Sequence, residues 1–229
     1  NVMVNAHDIL ELWDSRMIML SLYTFSDREI EKAIPFKDVY LTGLVKARDG
    51  QKMSKSKGNG VAPDELFEKY GVDATRMFFY HGNSAGRGYP INDEKLLNMK
   101  KFANKIWNAS KYIFSCVEKF DDLNSNTEIK EFKEFDERLN TLKNDVLTHI
   151  ENFEFGYASE DIYESFWHDY CDQMIEQSKK YIASFGETTG TIEEKKYVMK
   201  VMYEGLVTYL KLLHPMMPFI TEKIWQSLP

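Results

Sequence analysis

Cysteine is scarce in this sequence, and long apolar runs are absent. The 229 residues include two cysteines, Cys116 and Cys171, and no Cys-x-x-Cys pair, which excludes a disulfide framework and a zinc-ribbon type of metal site. No apolar run approaches 20 residues, and no secretory signal is visible, so the sequence predicts no membrane span. We therefore expect two buried, reduced thiols in a cytoplasmic protein.

Positive charge is also in deficit, because 29 Lys and Arg residues stand against 36 Asp and Glu, for a net charge of −7. This balance argues against a protein that coats nucleic acid non-specifically. The basic residues are nevertheless concentrated in two places. Residues 46–57 contain five basic residues and one acid, Asp49, and residues 95–111 contain five lysines and no acid. Two basic zones on an acidic protein predict anionic partners at two places.

The first 80 residues indicate an α/β segment. Residues 1–5 (NVMVN) and 36–45 (FKDVYLTGLV) are rich in residues that favour strands. Between them, residues 8–25 predict a helix, with apolar residues at Ile9, Leu12, Trp13, Met17 and Leu20. Residues 63–70 predict a short helix that begins at Pro63 and stops at Gly71, and residues 72–80 predict another. On the latter, Asp73 and Arg76 are three apart and predict an ion pair.

The rest of the chain predicts an all-α helix bundle. Residues 81–90 (HGNSAGRGYP) are a glycine-rich break, so we place a domain boundary there and predict domains at 1–90 and 91–229. Apolar residues then recur every three to four positions. The predicted helices cover residues 92–120, 135–152, 157–184, 192–213 and 219–227, with a loop at 186–191, in an antiparallel arrangement. The chain as a whole is predicted to be mostly α.

A lysine-rich loop, residues 50–60, lies between a predicted strand and a predicted helix. This is where anion sites form in α/β folds, although the loop lacks the G-x-x-x-x-G-K-[ST] spacing of a P-loop. Lys52 and Lys55 are close enough to meet one polyphosphate as point charges, and Ser54 and Ser56 can donate further hydrogen bonds. The loop therefore predicts a mobile clamp for a triphosphate or pyrophosphate. The alternative is a flexible basic surface loop.

The same residues resemble a known family. K-M-S-K-S at residues 52–56 is similar in all five letters to the second signature of the class I aminoacyl-tRNA synthetases. The run PFKDVYLTGLV followed by DGQKMSKSKGN resembles the valyl, isoleucyl and leucyl members, and AHDILELWDSRMIM resembles their G-x-D element and its tryptophan. The runs at residues 102–113, 166–179 and 214–225 resemble the anticodon-binding helical domain. FANKIWNAS and FWHDYC are most similar to the valyl type.

Some family features are absent from these residues. The first class I signature, H-x-G-H, does not occur, nor do the inserted editing domain and the C-terminal coiled-coil arm of valyl enzymes. Ala6 stands where the family usually has Gly, and Thr42 stands where valyl members usually have His. The simplest interpretation is the second half of a Rossmann-like catalytic domain followed by the anticodon-binding bundle, a chain that we expect to be inactive alone.

The resemblance implies a reaction and its site residues. An amino-acid carboxylate, expected to be that of valine, attacks the α-phosphate of ATP, and the acyl group then passes to tRNA. Lys52 and Lys55 are the implied catalytic residues, acting on charge at the β- and γ-phosphates. The implied ATP-binding residues are Asp8, Lys52, Met53, Ser54, Lys55 and Ser56. Asp8 would accept from a ribose hydroxyl, and its alternative role is a helix N-cap before Ile9.

The partners follow from the same resemblance. Mg²⁺ is expected to accompany ATP rather than to sit in a protein cage, so we predict no protein-bound metal. Lys101, Lys105 and Lys111 share the polar face of the first bundle helix and are expected to contact the tRNA backbone. The protein is expected to be a monomer with no membrane partner.

Other interpretations remain open from the sequence alone. The chain resembles isoleucyl- and leucyl-type enzymes as well, so the choice of valine as the substrate rests on family likeness alone. An RNA-binding module with a vestigial nucleotide loop would keep the bundle function only. A structural helical bundle with a basic loop would bind no anion at all.

Overall fold

The computed structural model describes residues 1–182 and 190–229. The chain divides into two units. The first, the sheet unit, comprises Asn1–Ala62 and Asn83–Asn92, and the second, the helical unit, comprises Pro63–Gly82 and Asp93–Pro229. The predicted domain boundary at residue 90 stays a prediction, because the two units are defined by contacts between residues and not by the limits of homologous domains.

Two short parallel sheets form the sheet unit. Strand β1 (Val2–Ala6) pairs with β2 (Asp38–Thr42), and the chain crosses between them through α1 (Ser15–Thr24) and α2 (Ile30–Ala33). Strand β3 (Val45–Lys46) pairs with β4 (Tyr89–Pro90). The strand predicted at residues 1–5 is confirmed, and the run predicted at residues 36–45 forms two strands, β2 and β3, in different sheets.

Strand β4 lies inside the glycine-rich stretch that the sequence indicates as a break. Glycine makes this pairing possible, because a Cβ on Gly43 would lie 2.2 Å from the Arg87 carbonyl oxygen and a Cβ on Gly88 would lie 2.9 Å from that of Leu44. Two chain segments approach here more closely than side chains permit. The composition of residues 81–90 therefore reflects backbone contact as well as a turn.

The helix predicted for residues 8–25 does not keep one phase. A 3₁₀ turn (His7–Ile9) is followed by a π-helical stretch (Leu10–Asp14) before α1 begins. Because a π turn contains more residues than an α turn, it rotates the apolar residues away from a single face. The apolar residues therefore do not form one buried face: Trp13 is 57% exposed, whereas Asp14 is buried and accepts a hydrogen bond from Asn5.

The helical unit contains the helices that the sequence predicts for residues 63–80 and 92–227. Their bounds within the described residues are α3 (Pro63–Tyr70), α4 (Val72–Tyr80), α5 (Asp93–Val117), α6 (Lys130–Glu151), α7 (Phe155–Glu164), a π-helical stretch (Ser165–Ile175), α8 (Glu176–Ile182), α9 (Ile192–Leu213) and α10 (Pro218–Trp225). Helix α6 begins five residues before the predicted start, since Ile129 and Phe132 extend its buried face. The predicted helix end at 184 and most of the predicted loop, at 186–189, lie outside the described residues.

Aromatic side chains form the centre of this unit. Phe166 contacts Tyr170 and Tyr209, and Phe135 contacts Tyr170, with ring centroids 5.1 to 5.9 Å apart. A Cβ on Gly205 would lie 3.3 Å from both Phe135 and Tyr170, so glycine lets α9 approach these rings. The predicted apolar stripe of α5 is confirmed as core, since it is buried at Leu96, Met99, Phe102, Ile106, Ala109 and Ile113.

The predicted ion pair between Asp73 and Arg76 is wrong. Asp73 is only 9% exposed, and its carboxylate accepts hydrogen bonds from the backbone amides of Phe219 (3.2 Å) and Ile220 (2.6 Å) at the start of α10. Arg76 donates to the carbonyl oxygens of Pro215 and Met216 instead. Each charged side chain contacts backbone groups at a helix end, where partial charge of the opposite sign is available.

Long helices are present, but none in residues 1–182 or 190–229 combines the length and the apolar character needed to cross a membrane.

Candidate functional site

The lysine loop follows the carboxyl ends of the parallel strands. Ala6 and Thr42 are the last residues of β1 and β2 and lie opposite each other in the register, so the two positions that differ from the family pattern are neighbours. Asp8 follows β1 directly, and the lysine loop follows the strand segment that ends at Lys46. Loops at this edge of a parallel sheet bind ligands in α/β folds.

A tight turn brings the loop back beside its own strand. The Gly50 amide donates to the Ala47 carbonyl and the Ala47 amide donates to the Gln51 carbonyl, each at 2.9 Å. Gly50 has a φ of 81°, which glycine adopts at no steric cost. Lys52 then forms an antiparallel bridge with Lys46. The start of the K-M-S-K-S segment is therefore fixed to the sheet unit.

The second half of the segment is a single 3₁₀ turn, Lys55–Lys57. The Ser54 hydroxyl caps this turn by accepting from the Lys57 amide at 3.3 Å, and Gly58, with a φ of 62°, ends it. The two serine hydroxyls, Ser54 and Ser56, lie 3.3 Å apart. Ser54 thus shapes the loop in this conformation, whereas Ser56 is exposed.

Asn59 is a residue that the sequence reasoning missed. Its side chain accepts from the Ser54 amide at 2.9 Å and donates to the Lys52 carbonyl at 3.3 Å, so it bridges both halves of the segment. The signal was present in the run S-K-S-K-G-N, because an asparagine after a glycine often bonds nearby backbone groups. Half-buried Met53 lies between these two bonds.

The three loop lysines differ in their partners. The Lys52 ammonium donates to Asp8 Oδ2 at 2.9 Å, and the Lys57 ammonium donates to Gln51 Oε1 at 3.0 Å. Within the described part of the chain, the Lys55 side chain makes no hydrogen bond or ion pair. Lys55 is therefore the loop cation that is available to a new anion without a rearrangement.

Asp8 is neither an N-cap nor an isolated acceptor. It lies within the 3₁₀ turn, and the residue before that turn, Ala6, makes no side-chain cap, so the N-cap alternative is wrong. The hydrogen bond from Lys52 lowers the pKa of the Asp8 carboxyl below its usual value. Asp8 and Lys52, two predicted nucleotide contacts, are in contact with each other.

The predicted tRNA-binding lysines lie on α5, but they are not equivalent. Lys101 and Lys111 are exposed, and Lys101 has only a long contact of 3.5 Å with Asn98. Lys105 forms an ion pair of 2.8 Å with Asp172 and lies 4.8 Å from the Trp167 ring centroid. The face without acids in the sequence thus receives one from a neighbouring helical segment.

Two histidines of the helical unit contact carboxylates. His149 lies between Glu154 and Asp161, and His168 lies between Glu164 and Asp172. No group of three or more His, Cys, Asp or Glu side chains that could hold a metal occurs among the residues that the structure describes. The absence of a protein-bound metal stays a prediction.

Comparisons with known sequences match two families along the chain. The profile described as "tRNA synthetases class I (I, L, M and V)" matches residues 1–91, and "Anticodon-binding domain of tRNA ligase" matches residues 133–229. Among curated proteins, the chain is 38% identical to "Valine--tRNA ligase" of Clostridium tetani over 98% of its length. It is 40% identical to that of Lactiplantibacillus plantarum over its whole length. It spans 25% of each of these two relatives.

Solved structures with the same fold are more distant in sequence. A leucyl-tRNA synthetase of Agrobacterium radiobacter K84, in a ternary complex with tRNA, has a TM-score of 0.77 at 19% identity and covers 99% of this chain and 27% of that one. A methionyl-tRNA synthetase of Mycobacterium tuberculosis with methionyl-adenylate has a TM-score of 0.75 at 21% identity, over 98% of this chain and 43% of that one. These structures support the architecture and nothing finer.

Proposed function

The chain belongs to the class I aminoacyl-tRNA synthetases, and on that premise we propose that the protein containing it is a valine--tRNA ligase. The 229-residue chain consists of part of the class I catalytic domain followed by the anticodon-binding domain. Valine is favoured over isoleucine and leucine because the relatives named above, at 38–40% identity, are valine enzymes. The proposed substrates are valine, ATP and tRNA.

The observation that supports a phosphate site is the hydrogen bonding of the lysine loop, which leaves one lysine available. Among the described residues the Lys55 side chain has no partner, and it lies within a segment that Ser54 and Asn59 hold in shape and that Lys52 joins to Asp8, after β1. A fixed loop with one available ammonium group suits a leaving pyrophosphate, whose charge grows as the reaction proceeds.

Valine activation needs no protein nucleophile. The valine carboxylate attacks the α-phosphorus of ATP, the bond to the β-phosphate oxygen breaks, and pyrophosphate leaves with the bonding electrons. Lys52 and Lys55 stabilise the negative charge on the β- and γ-phosphates, and Ser54 and Ser56 assist as donors near Met53. Mg²⁺ accompanies ATP and neutralises part of the same charge.

Asp8 is proposed to accept a hydrogen bond from the ribose of ATP. The valyl group then passes from the adenylate to a terminal hydroxyl of tRNA, while Lys101, Lys105 and Lys111 contact the tRNA backbone. A chain that holds only this part of the catalytic site is proposed to be inactive by itself. The cytoplasmic location is consistent with two buried, unpaired cysteines. The monomeric state stays a prediction.

Amino-acid-dependent pyrophosphate exchange in the longer protein tests this function. We expect exchange with valine and ATP, and much less with isoleucine or leucine at equal concentration. Exchange that prefers isoleucine or leucine would move the protein to the corresponding member of the family. No exchange with any amino acid, together with retained tRNA binding, would favour the RNA-binding module with a vestigial loop.

A further inference from the structure

The ion pair between Asp8 and Lys52 joins two residues that are 44 positions apart in the sequence. Lys52 Nζ lies 2.9 Å from Asp8 Oδ2, and both belong to the sheet unit. The pKa of the Asp8 carboxyl is held below its usual value by this hydrogen bond. The pair thus connects the turn after β1 to the first lysine of the loop.

Lys52 is the only loop lysine that the described residues engage with a charged group. Lys57 binds the neutral amide of Gln51, and Lys55 has no partner there. The Lys52 main chain is also held, through its carbonyl bond to Asn59 and its bridge to Lys46. A change of partner at Lys52 can therefore occur in the side chain alone.

Both members of this pair are assigned to the same nucleotide by the proposed function, on which this inference rests. Lys52 would bind phosphate and Asp8 would bind ribose. Neither side chain can do so while the two are bound to each other. We propose that Asp8 and Lys52 form a latch that holds Lys52 away from phosphate in the ligand-free protein. ATP opens the latch by giving each residue a replacement partner.

The latch is weak, which suits an exchange of partners. The side chains of Lys52 and Asp8 are 70% and 33% exposed, and water and salt screen such a pair. A ligand that needs Lys52 binds with an affinity reduced by the fraction of molecules in which Lys52 is released. For an exposed pair this reduction amounts to about 2- to 5-fold.

The latch is tested by the binding of inorganic tripolyphosphate to the 229-residue chain, measured by titration calorimetry. This probe has phosphates and no ribose, so it can replace Asp8 as the partner of Lys52 but cannot replace Lys52 as the partner of Asp8. We expect Asp8→Asn to lower the dissociation constant by about 2- to 5-fold. Circular dichroism of each variant confirms that it is folded.

Asp49→Asn is the matched control. Asp49 is the single acid of residues 46–57, its side chain accepts from the Gln51 amide, and it does not contact Lys52. The substitution Asp49→Asn removes one negative charge near the lysine loop, as Asp8→Asn does. A smaller gain in affinity than that of Asp8→Asn supports the latch, whereas an equal gain means that general repulsion is relieved and overturns the latch.

A second background separates the latch from the phosphate clamp itself. In a Lys52→Met chain, Asp8→Asn should raise the affinity no more than Asp49→Asn does, because the pair no longer exists and only the general repulsion is relieved. If Asp8→Asn gives the same gain there, Asp8 acts without Lys52 and the latch is contradicted. If neither the parent nor Asp8→Asn binds tripolyphosphate, the clamp fails and the latch fails with it. If the parent binds and Asp8→Asn changes nothing, only the latch fails.

Discussion

Asp73 and Arg76 stabilise two different helix ends from one turn of α4. The Asp73 carboxylate lies at the amides that begin α10, and the Arg76 guanidinium lies at carbonyl oxygens just beyond the end of α9. Each charge meets the partial charge of opposite sign that a helix terminus provides. The pair therefore fixes the turn between α9 and α10 against α4.

Replacing Asp73 should cost stability in proportion to the acceptors that are lost. We expect Asp73→Ala to lower the free energy of unfolding by about 2–3 kcal/mol, because two amides lose a charged acceptor at a buried position. Asp73→Asn should cost less, since its amide oxygen can still accept. Urea unfolding measures both. Asp64→Ala, an exposed acid in the first turn of α3, is the control, and an equal loss there would contradict the account.

His81 should make the stability of the helical unit depend on pH. Burial lowers the pKa of His81 to about 4, helped by the charge of Lys95, and Nδ1 of the ring has no partner in the described part of the chain. The unfolded chain, with a pKa of about 6.5, therefore binds the proton more readily than the folded one. Stability is complete near pH 7 and is lost as the pH falls from about 6.5 towards 4.

Between pH 7 and pH 5 the loss from His81 should reach up to about 2 kcal/mol. His81→Phe keeps a ring against Tyr163, whose centroid lies 4.7 Å away, and should remove this part of the pH dependence. His168→Gln, at an exposed position, should keep it. A His81→Phe protein with the same pH dependence as the parent would show that another group is responsible.

The sequence predicted the contacts of a residue correctly only where the partner lies within a few positions of it. The glycine turn and the serine-rich lysine segment were recognisable because their geometry is set within a few residues. Asp73 and Arg76 looked like a pair because they are three apart, but their partners are about 140 residues away. The N-cap alternative for Asp8 also rested on its sequence neighbours, whereas its partner, Lys52, is 44 positions away.

Helix α5 carries the proposed tRNA-binding surface, and its lysines now separate into two groups. Lys101 and Lys111 are exposed, whereas Lys105 is in an ion pair with Asp172. A helix with an all-basic face gives up the stabilising Glu–Lys pairs of a solvated surface. The pairing of Lys105 to another segment explains part of that composition by packing, which the sequence of α5 alone did not reveal.

The double variant Lys101→Gln/Lys111→Gln should weaken tRNA binding without regard to the tRNA sequence. Each lysine that contacts a phosphate contributes to the salt dependence, so we expect the slope of log affinity against log salt to fall by about one unit per lysine. Filter binding at several salt concentrations measures it. Lys143→Gln/Lys200→Gln, on α6 and α9, is the charge-matched control.

Equal binding by both double variants and the parent would place the tRNA surface elsewhere. Lys105→Gln should differ from the other variants, because it also leaves Asp172 without its lysine. Its effect should include a loss of thermal stability that the exposed lysines do not share.

Helix α5, with an unbroken 3.6-residue period, was predictable, and so was the apolar face of the π-helical stretch Ser165–Ile175, whereas the segment after β1 was not. The stripe of α5 keeps its phase over 25 residues and is buried as expected. The helix after β1 changes from 3₁₀ to π to α within eight residues, and no period read from the sequence follows such a change. In that segment Leu12 and Trp13 are exposed, and Ile9 and Leu10 are half-buried.

The whole chain combines an α/β unit with a bundle, and the glycine-rich residues 81–90 with the change of periodicity after them predict a boundary there. The sheet unit and the helical unit differ in periodicity, and the family likeness extended across both. What composition could not supply was the grouping of α3 and α4 with the bundle, because that grouping rests on contacts such as those of Asp73 with α10.

The central claim is that Lys55 acts on the phosphates of ATP during valine activation. Single-turnover formation of valyl-adenylate by the longer protein tests it most directly, with Lys55→Ala compared against Lys57→Ala, whose lysine is bound to Gln51. We predict a rate constant lower by about 10²–10³-fold for Lys55→Ala, as for the loss of one transition-state donor. Lys57→Ala should stay within about threefold of the parent. Equal rate constants for the parent and Lys55→Ala would contradict the account.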